Sequence, residues 1–281
     1  MTVSNHREAV VTYYDTHPIN EQQILEKLQQ DGIALDRLTE AELQNYDQDH
    51  YGGLQITETL AEEAAIHADH HVLDVCSGMG GPARYFAYHR GCRVTGLDLT
   101  ESRISGATSL TKLVGLGHLV DFRQGDAQAM PFDDTTFDVA ISQEALLHVP
   151  DKEAMIRECA RVLKPGGVLA FTDLTRRQSI ADGDMQKLGK ALASVNFATA
   201  ENYRQWLEAA GFSILVEADR SEELKAILIE RLAMYKGLGE QTSKHFGAER
   251  EKEWEEGYTF FVASVVEGRL GGCRFVARKK S

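Results

Sequence analysis

Basic charge is in short supply in this chain of 281 residues. Lys and Arg number 30 against 43 Asp and Glu, a formal net charge of −13. An acidic surface grips a phosphate backbone poorly, which argues against a nucleic-acid partner. The Arg278-Lys279-Lys280 run near the end is short and reads as a solvated tail. Cysteine is equally sparse. Cys76, Cys92, Cys159 and Cys273 lack metal-type spacing, so neither a metal site nor a disulfide framework is expected, and free thiols fit a reducing, cytoplasmic setting. The N-terminus is polar, without the apolar heart of a signal peptide, and no run of 18 apolar residues is present. No membrane association is therefore expected. Repeats and low-complexity tracts are missing too. Hydrophobic content is ordinary for a globular protein, and the length suits one large domain or one domain with a cap.

Chemistry concentrates in His71-Val72-Leu73-Asp74-Val75-Cys76-Ser77-Gly78-Met79-Gly80-Gly81-Pro82-Ala83. An apolar strand runs into a glycine-rich turn and then a helix. Glycines let backbone approach a ligand, and the helix start offers free N–H groups. A second strand, Cys92 to Leu97, ends at Asp98. That carboxylate follows the glycines by about 20 residues, the spacing at which a Rossmann-like site takes a ribose hydroxyl pair. Gly78-x-Gly80-x-x-Ala83 also fits a dinucleotide fingerprint. Asp74 argues against it: a carboxylate at this strand end repels a pyrophosphate and suits an ammonium or sulfonium. Asp126, after the strand Val120 to Arg123, is placed to accept from an adenine amino group.

Two further signals follow. Met130-Pro131-Phe132 precedes a strand at Phe137 to Ser142, and Lys164-Pro165-Gly166-Gly167 precedes one at Val168 to Thr172. As an ordered set over roughly residues 55–220, these motifs resemble a class I S-adenosylmethionine-dependent methyltransferase. Cys76 stands where the family pattern has its first glycine; by itself it reads as a small buried filler. The resemblance implies S-adenosyl-L-methionine as cofactor. It places Asp74, Gly78 and Gly80 at the methionine end, Asp98 at the ribose, and Asp126 with Ala127 at adenine. Ser77, Leu99 and Gln143 join this cofactor set.

Alternating helices and strands imply an α/β fold, a Rossmann-like doubly wound sheet of seven strands. The sixth strand is expected at Phe212 to Val216 and the seventh at Gly272 to Ala277, the last antiparallel as the family typically has it. Helices are expected at 7–15, 21–30, 39–44, 55–68, 81–90, 101–115, 152–163, 200–210, 221–235 and 247–267. Residues 1–53 read as a helical extension with an acceptor-side loop, 54–220 as the cofactor-binding core, 221–270 as a helical lid and 271–281 as the last strand and tail. Residues 174–184 read as a polar linker between sheet and lid, and the two lid helices are expected to join around Gly237–Gly239.

Ligands of open α/β sheets lie at the C-terminal strand edge. Two segments reach it: Gln143-Glu144-Ala145-Leu146-Leu147-His148, and Tyr46-Asp47-Gln48-Asp49-His50-Tyr51-Gly52-Gly53. These, with the long insert before the last strand, resemble the small-molecule branch that includes sarcosine/dimethylglycine N-methyltransferases. His148 and His50 are candidate general bases, and Tyr51 a candidate neighbour of the transferring methyl. His148, following two leucines, reads equally as a packed core histidine. The expectation is a methyltransferase, monomeric or homodimeric, acting on a small soluble acceptor with amines preferred. C- or O-methylation of a secondary metabolite, or cofactor binding without turnover, are the alternatives.

Overall fold

The structure is a computed structural model that describes residues 3–15, 17, 19–237 and 247–281. The junction expected around Gly237–Gly239 falls largely outside these residues.

Seven strands form one sheet: β1 (His71–Val75), β2 (Arg93–Asp98), β3 (Val120–Gln124), β4 (Phe137–Gln143), β5 (Leu163–Arg176), β6 (Phe212–Asp219) and β7 (Leu270–Lys279). Their order is β3-β2-β1-β4-β5-β7-β6. β7 runs antiparallel to both β5 and β6, as expected. Side chains alternate across each strand, so the sheet has two apolar faces. Val72, Val139, Ile141, Val168 and Val276 point one way, towards α4 (Gly53–Glu63) and α5 (Gly81–Arg90). Leu73, Val75, Ala140, Leu169 and Phe275 point the other way, towards α7 (Lys152–Val162) and α9 (Ala200–Ala209). Burial on both faces explains the near-continuous apolar character of the central strands.

Two smaller clusters flank the sheet. The first joins α2 (Glu21–Gln30), through Ile24 and Leu28, to Leu43 of α3 (Glu40–Leu43) and Leu110 of α6 (Glu101–Leu113). The second joins α8 (Asp182–Leu192), α10 (Ser221–Gly237) and α11 (Ala248–Val266) through Leu188, Leu228 and Phe261. It includes Leu174 and Leu270, so it lies at the C-terminal end of β5. The remaining helix, α1 (Val3–Asp15), packs against α6.

Two expectations are corrected. Of residues 174–184, only 177–181 form a connection. β5 continues to Arg176 because Leu174, Thr175 and Arg176 pair with Gly272, Gly271 and Leu270 of β7. α8 starts at Asp182, and its Leu188 and Leu192 are buried among the neighbouring helices. Lys164-Pro165-Gly166-Gly167, expected to precede the fifth strand, lie inside β5, where the β4–β5 register shifts between the Phe137 and Val139 pairings.

Candidate functional site

β1 ends at Val75, and three left-handed residues follow at alternate positions: Cys76 (φ 60°), Gly78 (φ 52°) and Gly80 (φ 77°). Cys76 adopts the conformation of the glycine it replaces, at a cost of roughly 1–2 kcal/mol. Gly80 caps α5, and a Cβ there would meet the Phe122 ring at 2.5 Å. A Cβ on Gly78 would meet nothing within 4 Å, because Gly78 borders a cavity.

That cavity, about 380 Å³, is walled by the glycine-rich turn, the ends of β2 and β4, and the segments 125–128 and 148–150. Asp74, Ser77, Gly78, Asp98, Leu99, Asp126, Ala127, Gln143 and His148 line it. Gly80, His50 and Tyr51 do not. Gly80 serves the turn. His50 is buried behind the wall, its Nε2 3.1 Å from Gln48 Oε1 and 3.2 Å from Thr57 Oγ1. The Tyr51 ring packs on Phe261 at 5.9 Å, with the Arg231 guanidinium 5.3 Å from its centroid.

Several groups on the wall are prepared for a ligand. Asp98 accepts the Gly78 N–H and the Thr100 N–H, both at 2.9 Å, which orients its carboxylate. Asp126 accepts the Gln128 N–H at 2.8 Å in a tight turn. Asp74 Oδ2, Ser77 Oγ, Thr100 Oγ1 and Gln143 Nε2 are buried without a hydrogen-bond partner in the protein. Such orphans are costly and call for a partner. An acceptor on Asp74 and donors on Ser77, Thr100 and Gln143 fit a ligand with a cation, hydroxyls and a carboxylate, as the cofactor implied by the motifs has. Burial, reinforced by Asp98, pushes the Asp74 carboxyl up to about 7.

The opposite wall comes from the N-terminal extension. His6, Arg7, Val10 and Tyr14 of α1, with Asp47 and Asp49, face the cavity. Tyr14 lies 2.8 Å from His148 Nε2, and His148 Nδ1 lies 3.2 Å from the Ala193 carbonyl. A carbonyl only accepts, so Nδ1 carries the proton. Burial holds the imidazole at about 4, so it is neutral and Nε2 accepts from the Tyr14 hydroxyl. Ala193 is itself left-handed (φ 46°). His6 adds a 2.8 Å bond to the His148 carbonyl, and Arg103 sits 4.8 Å from the Tyr14 ring centroid. Tyr14 carried no motif, and its partner is 134 residues away. Glu144, also left-handed (φ 52°), joins the halves: it accepts the Tyr51 N–H and lies 3.3 Å from Arg220.

Arg84 anchors the extension to the glycine-rich turn. Fully buried, it donates to Asp47 Oδ2 and to the Met79 carbonyl, both at 2.7 Å, and to the Ala107 carbonyl at 3.2 Å. Glu40 lies 3.6 Å away, and burial pushes its carboxyl up to about 8. Among the described residues no cluster of His, Cys, Asp or Glu is arranged to hold a metal, and no helix is long and apolar enough to cross a membrane.

A family described as "Methyltransferase domain" matches residues 73–171, which hold β1 to mid-β5. Sarcosine/dimethylglycine N-methyltransferase of Halorhodospira halochloris is 35% identical over 156 residues, 56% of this chain and 56% of that protein. The chain thus spans a little over half the length of that relative. 27-O-demethylrifamycin SV methyltransferase of Amycolatopsis mediterranei (strain S699) is 30% identical over 230 residues, 80% of this chain and 83% of that one. Among solved structures, the [4+2]-cyclase SpnF superposes with a TM-score of 0.71 at 26% identity, covering 84% of each chain.

Proposed function

The chain belongs to the class I S-adenosylmethionine-dependent methyltransferases, and on that premise we propose that it methylates a small acceptor at a nitrogen bearing hydrogen. When bound, the cofactor supplies a methyl group on a positively charged sulfur, already activated toward displacement. The protein's part is then positioning, which is worth roughly 7–11 kcal/mol when reactants are well aligned. Asp74 holds the ammonium, with Ser77 and Gly78 beside it. Asp98 and Leu99 hold the ribose, Asp126 and Ala127 the adenine, and Gln143 closes the amino-acid end.

The observation that carries the acceptor reading is the chain Tyr14–His148–Ala193. Because the Tyr14 proton is committed to His148, the Tyr14 oxygen is left to accept. It favours a nucleophile that carries N–H or O–H over a carbon nucleophile. It orients the attacking atom by accepting its N–H or O–H. Of the wall carboxylates, Asp47 and Glu144 are already paired with Arg84 and Arg220, and Asp74, Asp98 and Asp126 serve the cofactor; what tilts the reading toward nitrogen is the 35% identical relative, an N-methyltransferase. The cavity is near the lower end of the ~300–1,000 Å³ typical of ligand sites. Cofactor and acceptor together must fit it, which favours a small acceptor.

The test is release of S-adenosylhomocysteine, followed by mass spectrometry, with separate pools of small amines, phenols and other hydroxyls, thiols and prenyl diphosphates. Release with the amine pool is expected. Release with hydroxyls alone would move the acceptor atom to oxygen; release with prenyl diphosphates alone would contradict the Tyr14 argument. A second reading, binding without methyl transfer, has one observation behind it: SpnF, of the same fold, is described as a cyclase. Tight S-adenosylhomocysteine binding with no release in any pool would favour it.

A further inference from the structure

Gln143 ends β4 on the cavity wall, 9% exposed, and its amide nitrogen is buried with no partner. What holds the amide in that orientation is a chain of hydrogen bonds behind the wall. Arg84 fixes Asp47, and Gln48 Nε2 donates to Asp47 Oδ1 at 2.9 Å. A carboxylate only accepts, so Gln48 presents its oxygen to the next residues. Burial holds His50 at about 3, so its imidazole is neutral and carries one proton. Its Nδ1 has no partner, and Nε2 reaches Gln48 Oε1 at 3.1 Å. With Nε2–H serving Gln48, the Thr57 hydroxyl has three acceptors in reach, Gln143 Oε1 at 3.1 Å, Gln48 Oε1 at 3.2 Å and the Gly53 carbonyl at 3.4 Å, and donates to the nearest, Gln143 Oε1. The amide oxygen is thereby engaged on the protein side, and the NH2 is left for the cavity.

The register puts this donor next to the orphaned acceptor. Asp74 of β1 pairs with Ile141 of β4, and Gln143 lies two residues further on the same strand. Paired residues of parallel strands share a face, and so does the second residue along. Asp74 and Gln143 therefore stand on one side of adjacent strands, at the same strand ends. One lacks a donor and the other lacks an acceptor. An ammonium and a carboxylate borne on one carbon answer both.

We propose that Thr57 is a positioning residue: its hydroxyl fixes Gln143 so that the amide NH2 reads the carboxylate of the cofactor's amino-acid end, opposite Asp74. The inference rests on the cofactor assignment above. It gives a buried threonine on α4, outside every cofactor motif, a role in the site.

The test is calorimetric binding of two nucleosides to the full chain. S-adenosylhomocysteine carries the amino-acid end; 5′-methylthioadenosine keeps the adenosine and sulfur but lacks it. Thr57→Val and Gln143→Leu are expected to weaken S-adenosylhomocysteine by about 10- to 100-fold, the effect of losing a hydrogen bond to a charged group. Both should leave methylthioadenosine within about 2-fold, which also reports that the variants are folded. Thr57→Ser, which keeps the hydroxyl, should bind like the wild type. Equal weakening of both nucleosides, no weakening of either, or failure of serine to rescue would overturn the inference. No binding of either nucleoside by the wild type would overturn the cofactor assignment and this inference with it.

Discussion

Asp74 shows most plainly how single residues here are held away from their ordinary behaviour. Its carboxyl is pushed up to about 7 by burial and by Asp98. A bound ammonium favours the charged form, so its pKa falls on cofactor binding. The free protein below pH 7 must then lose a proton to bind, and affinity rises with pH, up to about tenfold per unit, until it levels near 7. Calorimetry with S-adenosylhomocysteine between pH 5.5 and 8 checks this: proton release at pH 6 and none at pH 8 are expected, and Asp74→Asn should flatten the profile. A pH-independent affinity for the wild type would contradict it. His148 contributes nothing to this window, since burial keeps it neutral down to about 4. Cys76 illustrates another compromise, a thiol side chain in a left-handed turn position, tolerated because the strand and helix on either side dictate the backbone.

Among the elements, the glycine-rich turn and the N-terminal extension work as one piece, and Arg84 on α5 is the joint. Its guanidinium bonds the pre-core loop, the turn and α6 at once. Breaking a buried ion pair from one side leaves the other charge uncompensated, at about 3–5 kcal/mol. Arg84→Leu should therefore lower unfolding stability by that amount in urea titration, and adding Asp47→Asn should recover part of the loss. A change below about 1 kcal/mol would show that the joint is not structural. The elements also divide cleanly by how readable they were. α2 and α5 appear at the expected residues because a cap or a Gly-Pro start marks them. α8 was obscured: its first turn, Asp182, Gly183 and Asp184, looks like the end of a linker, Gln186, Lys187, Gly189 and Lys190 add no apolar signal, and only Leu188 and Leu192 are buried. Its helical state is stabilised by packing against α11, a contact that local sequence does not encode.

At the scale of the whole molecule, the cofactor side and the acceptor side differ in how their residues are brought together. Asp74, Gly78, Asp98 and Asp126 sit at successive strand ends, so the repeating strand-turn-helix order exposes them in the sequence. Tyr14, Thr57 and Arg84 act through partners 134, 86 and 37 residues away, and nothing local marks them. His50 and Tyr51 stood out as a dense polar loop, yet the fold turns them behind the wall, where His50 supports Gln48 and Thr57. The central claim is that this assembly transfers a methyl group to a small N–H acceptor oriented by Tyr14. The most direct measurement follows an isotopically labelled methyl group from S-adenosylmethionine into small amines, for the wild type and Tyr14→Phe side by side. The expected result is a methylated amine from the wild type, and a kcat lower by about 10²–10⁴-fold in the variant with S-adenosylhomocysteine affinity unchanged. Labelled product at equal rates from both proteins, or none from the wild type with any amine, would contradict the account.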